Sequence, residues 1–78
     1  MWEIIGYEKN VNDAGNVTGC TLYCQQHFKD ADKGHGVRTC KEYYRPANID
    51  YQPAIGDQVI FVKEQFGQYL VVTDIIRM

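Results

Sequence analysis

The 78 residues carry eight basic and ten acidic side chains, a formal net charge of −2, and this slight acidity argues against avid sequence-independent binding to duplex DNA, whose affinity comes mainly from neutralised phosphates. A chain this short has room for one domain, residues 1–78, and buries about 60% of its unfolded surface, which argues against a separate catalytic subdomain. No apolar run approaches the roughly 20 residues of a membrane span, and Met1-Trp2-Glu3 opens a strand-like segment rather than a basic, then apolar, leader, so the expected location is cytoplasmic.

Five apolar or β-branched segments follow one another: Trp2 to Lys9, Thr18 to Phe28, Gly36 to Arg45, Gln58 to Lys63 and Gln68 to Arg77. None has a long run of helical period, so each reads as a strand. Asn, Asp and Gly in Asn10 to Asn16 and again in Asp30 to Gly36 supply turns, and Pro46 and Pro53 limit helix between Arg45 and Gly56. The last two strands are separated by Glu64-Gln65-Phe66-Gly67, a turn whose aromatic has little apolar company along the chain.

Five short strands in a chain this small are expected to close on themselves, because an open sheet exposes its edges. The expected fold is an all-β five-stranded OB-type barrel, with an SH3-like barrel as the alternative. Ile4, Leu22, Val59, Phe61, Val71 and Ile75 are the expected core. Val59 to Val62 and Tyr69 to Val72 are apolar on both faces, which points to a second covered surface and hence a homodimer.

Cations cluster in the second hairpin: Lys29, Lys33, Arg38, Lys41 and Arg45 are five of the eight basic residues and are interleaved with Tyr23, Phe28, Tyr43 and Tyr44. A loop centred on Asp32 sets Cys24 opposite Cys40, Tyr23 opposite Lys41 and Thr21 opposite Tyr43. One face then presents Tyr23, Lys41, Tyr43 and Arg45, the mixture of aromatics and cations that stacks bases and tracks a backbone in single-strand binders. The same register turns Glu42 inward beside Leu22, a conflict that a bulge or a one-residue slip would relieve.

Gln65-Phe66-Gly67, followed by an apolar strand with Asp74 and preceded by Tyr51-Gln52-Pro53 and a strand of matching length, resembles the C-terminal part of the single-stranded-DNA-binding proteins of filamentous phages. Gly19-Cys20-Thr21-Leu22 is similar in order and spacing to that family's second strand. The resemblance implies an OB-type fold, a two-fold dimer and cooperative, mostly sequence-independent binding of single strands, with Phe66 at the position of a hairpin-tip phenylalanine that stacks on bases. It also has departures. The family's first loop is basic, whereas Asn10 to Gly15 holds no cation; Cys20 stands in place of a tyrosine, and Ile75 in place of an arginine after Asp74. Phosphate contact would therefore have to use other cations.

Other chemistries find little support in the sequence. The three cysteines form no CxxC and fit a reducing compartment. A zinc site of Cys24, His27, Cys40 and His35 lacks a close cysteine pair, and a strand points Cys24 and His27 to opposite faces. Asp30-Ala31-Asp32-Lys33-Gly34 echoes a calcium loop, but Lys41 stands where the closing glutamate is needed. No nucleophile has a nearby base in a recognisable arrangement. The expectation is therefore no enzyme, no cofactor and no metal. The leading function is binding of single-stranded DNA or RNA through Phe66, Tyr23, Lys41, Tyr43 and Arg45. The alternative is a protein interaction module or accessory protein of a mobile element that never touches nucleic acid.

Overall fold

A computed structural model describes residues 1–28 and 34–78. Lys29 and Lys33 of the basic cluster, and the calcium-like stretch they enclose, lie outside the described residues. Alternating polar and apolar positions make five strands, β1 (Trp2–Val11), β2 (Val17–His27), β3 (Val37–Tyr44), β4 (Gln58–Phe66) and β5 (Tyr69–Arg77). All five join one antiparallel sheet in the order β3-β2-β1-β4-β5.

The sheet is not closed. Its end strands β3 and β5 approach each other without pairing, and a groove between them is lined by Tyr43, Tyr44, Val71 and Val72. The cause lies in the junction of the two halves: β1 pairs with β4 over Trp2↔Val59 and Glu3↔Gln58 alone. Beyond Val59, among the described residues, no strand but β5 pairs with β4, and the β4–β5 hairpin extends as a finger, the described residues spanning 49 × 30 × 22 Å.

The two-residue connection Gly67-Gln68 closes this finger. Gly67 has φ of 60° and Gln68 has no positive φ, which makes the connection a type II′ turn, the form whose twist suits an antiparallel hairpin. The turn thus falls later than Glu64 to Gly67, and Phe66 is the last residue of β4, paired with Tyr69.

Ile4, Leu22 and Val59 are fully buried, Ile75 is buried and Phe61 packs against them. Val71, expected inside, is exposed. Alternation from Ile75 would turn Val71 inward, but the β4–β5 register slips between Val62↔Asp74 and Lys63↔Val72, leaving Thr73 as a bulged extra residue. The bulge moves Val72 onto the core side and Val71 off it. Cys20, Cys24, Tyr44, Ile49 and Tyr51 complete the core.

Glu42 lies opposite Leu22 as the register required, with neither bulge nor slip between β2 and β3. Lys63 resolves the conflict instead: its ammonium reaches Glu42 at 2.5 Å from β4 across the inner side of the sheet. Both partners keep some solvent contact, so the carboxylate is paired without being fully desolvated.

The connection from β3 to β4 is held as a latch. A single helical turn hydrogen-bonds Asn48 and Ile49 N–H groups to the Arg45 carbonyl and drops Ile49 into the core. The Tyr44 hydroxyl donates to the Tyr51 carbonyl at 2.8 Å, and the Tyr51 hydroxyl donates to Asp57 at 2.7 Å. Arg77 stacks over the Tyr51 ring, bonds Asp57 at 3.1 Å and donates to the Gln52 carbonyl. Ile4 and the Gly56-Asp57 backbone exchange two hydrogen bonds, so the latch also ties the chain to β1. Tyr51 to Asp57 is therefore a structural closure of the fold.

Candidate nucleic-acid interface

Residues that face each other across an antiparallel pair project to the same side of a sheet. The pairs Tyr23↔Lys41, Thr21↔Tyr43 and Gln25↔Thr39 thus share the face opposite to Leu22, Cys24 and Cys40, and Gly6 and Glu8 of β1 extend it. Tyr23, Lys41 and Tyr43 are all exposed on it. Arg45 is exposed one residue beyond β3, and it lines the β3–β5 groove together with Tyr43. Four of the five expected contact residues therefore lie together. Phe66 lies apart, at the end of the finger.

Local sequence explains how Tyr43 is presented. A side chain at Gly19 would collide with the Tyr43 ring, so the absence of a Cβ there lets the ring lie over β2. In β1 a bulge at Ile5 switches the alternation, putting Ile4 inside and Gly6 on the outer face under Tyr23.

The face carries both signs of charge. The Tyr23 hydroxyl donates to Glu8 at 3.5 Å, a long contact, and Gln25 donates to Glu3 at 2.9 Å. Arg38, counted among the cluster's cations, is used locally: it lies 5.9 Å from the Trp2 ring and donates to Gln26. Among the described residues, Lys41 and Arg45 are cations that the geometry leaves exposed on this side.

Tyr69 is an exposed aromatic beside Phe66 that the sequence reading did not single out. It is 72% exposed against 54% for Phe66, its partner across the turn. With Leu70, Val71 and Val72 it lines the same groove as Tyr43 and Glu42. Exposed aromatics thus lie on three parts of the surface: Tyr23 and Tyr43 on the outer face, Tyr43 and Tyr69 along the groove, and Tyr69 opposite Phe66 at the tip. A usable signal existed, since Tyr69 is the first residue after the two-residue turn Gly67-Gln68 and must face Phe66, the residue before that turn.

On the inner side, burial pushes the Tyr51 hydroxyl up to about 12, with the Asp57 carboxylate that accepts its proton adding to the effect. Burial, and then the neighbouring Cys40, raise the Cys24 thiol to about 12. Tyr44, Cys20 and Cys40 are raised for the same first reason. Tyr44, Tyr51, Cys20 and Cys24 belong to the core, and Cys40 packs against it half-buried.

Comparison with protein-family models, with curated proteins and with solved structures finds no match for this chain.

Proposed function

We propose that this protein binds single-stranded nucleic acid, DNA or RNA, largely independently of sequence. In this reading bases stack on Tyr23, Tyr43, Tyr69 and Phe66 while Lys41 and Arg45 contact phosphates. The observation that carries the reading is the run of exposed aromatics from the outer face of β2–β3 through the groove to the finger tip. Stacking on such rings tolerates any base, because every base has a π-face.

The strand order supports a partly open OB-type barrel. Neighbours β4-β1-β2-β3 are the spatial order of a Greek key, with three hairpin-connected strands and a fourth that returns beside the first. The OB-fold is a five-stranded, partly open barrel of that kind. The likeness of Gln65-Phe66-Gly67 and its flanks to the filamentous-phage proteins supports the same function, and Phe66 at a hairpin tip is consistent with it.

Salt dependence tests the reading directly. A net charge of −2 leaves few phosphate contacts, so binding to a labelled single-stranded oligonucleotide is expected to show a shallow slope, on the order of 2 to 4 ions released. Absence of binding at low salt removes the proposal and leaves the interaction module.

A homodimer belongs to the same proposal. Ile60, Val62, Val71 and Ile76 share the outward face of the finger with Glu64 and Asp74, and these four apolar side chains are exposed. An exposed apolar stripe with acidic neighbours on a two-stranded element, below the Phe66–Tyr69 tip that is left for bases, is suited to a self-complementary two-fold contact. Light scattering is expected to give twice the chain mass at micromolar concentration, and Val62→Lys to shift the mass to that of a monomer. A monomer at high concentration in the parent overturns the dimer. The same stripe is also the specific observation that favours the second reading, a protein interaction module of a mobile element.

A further inference from the structure

Cys24 and Cys40 stand directly opposite each other on β2 and β3 and project to the same inner side. Opposed residues of an antiparallel pair have Cα atoms about 4.5 or 5.5 Å apart depending on the hydrogen-bonding pattern, and both spacings lie within the range a disulfide accepts, about 4.4 to 6.8 Å. The two thiols are near enough for each to influence the other's proton. Their burial is unequal: Cys24 is 0% exposed, whereas Cys40 is half-buried on the edge strand. The third thiol, Cys20, is buried on the same strand as Cys24 and faces Tyr44 instead.

We propose that Cys24 and Cys40 form a thiol–disulfide modification site, in which an external low-molecular-weight disulfide converts the pair into a cross-strand bond that locks the β2–β3 hairpin. The accessible thiolate of Cys40 attacks one sulfur of the reagent, releasing one small thiolate and leaving a mixed disulfide on Cys40. The Cys24 thiolate then attacks the Cys40 sulfur, displacing the second small thiol and forming the Cys24–Cys40 bond. The two thiol protons leave with the two small thiols, so the protein is oxidised by two electrons and the reagent reduced by two. Because Cys24 is shielded from solvent, a reagent molecule cannot begin at it, and the order of events follows from burial. Exchange should be slow at neutral pH and faster in mild alkali, since thiolates are the reacting species.

The bond would enclose the hairpin loop and remove conformational freedom from the unfolded chain. It would leave Tyr23 and Lys41, the neighbouring residues on the opposite face, paired as they are. The site acts on stability and is independent of whether the face binds nucleic acid.

The test is incubation of the reduced protein with oxidised glutathione, followed by intact-mass measurement, peptide mapping and thermal melting. Loss of two hydrogens in mass, a mapped Cys24–Cys40 peptide, one thiol left titratable in denaturant and a melting temperature higher by roughly 10 °C or more are expected. Cys40→Ser should remove all of these changes, and Cys20→Ala should keep the mass loss. A mixed disulfide that persists on Cys40, a covalent dimer, or three thiols remaining after prolonged exposure would overturn the proposal.

Discussion

Removing both aromatics at the end of the finger is expected to abolish most single-strand binding while leaving the fold in place. Phe66 and Tyr69 are more than half exposed and pair only with each other across a two-residue turn. Truncating either to alanine creates no cavity, so the melting temperature should move little. A base stacked on an aromatic ring is worth about 1 to 3 kcal/mol by alanine substitution, so each single variant should weaken oligonucleotide binding about 5- to 150-fold. The double variant should lose more than either. A folded double variant that binds as the parent does would show that the finger carries no base contact. A variant that melts far below the parent would show instead that these rings are structural. Tyr43→Ala separates the two ends of the surface: its loss should weaken binding without changing the hairpin turn.

Stability in the presence of reductant should fall steeply above pH 9. Cys24 and Tyr51 are both held neutral in the folded chain, with values raised from 9.0 and 10.0 to about 12. A raised value on an acid means that the unfolded chain releases its proton first. The stabilising contribution is complete below the unfolded value and is lost as pH climbs toward the folded one. At pH 11 the loss amounts to about 3 kcal/mol from Cys24 and about 1 kcal/mol from Tyr51. Against the 5 to 15 kcal/mol typical of a domain, roughly 4 kcal/mol is a large share. Urea unfolding at several pH values checks this. Cys24→Ala should flatten the curve from pH 9 and Tyr51→Phe from pH 10, and equal stability at pH 8 and pH 11 would refute the assignment.

The apparent weakness of Glu42 in the β2–β3 register shows what a single chain reading can and cannot supply. Turn residues and alternating polarity were enough to place Cys24 opposite Cys40 and Tyr23 opposite Lys41, because a hairpin's register follows from its loop and a short sequence separation. They could not supply Lys63, which comes from a strand more than 20 residues further on and meets Glu42 only when the sheet folds over. The same distinction explains Val71. Its place depends on a bulge at Thr73, and an unpaired residue leaves no mark in a run as uniformly apolar as Leu70 to Val72.

Patterns along the chain specify the five strands, the all-β class, most of the core through Ile4, Leu22, Val59 and Ile75, and the grouping of Tyr23, Lys41, Tyr43 and Arg45. Each of these rests on local alternation or on pairing between neighbours in the chain, where the physics acts over a few residues. The open sheet, the diverging finger, the Tyr43–Tyr69 groove and the Tyr51-Asp57-Arg77 latch were decided by tertiary structure alone. They depend on how far β1 pairs with β4 and on which distant side chains meet. The two-residue length of that ladder is set by the packing of the whole sheet, and no local pattern encodes it.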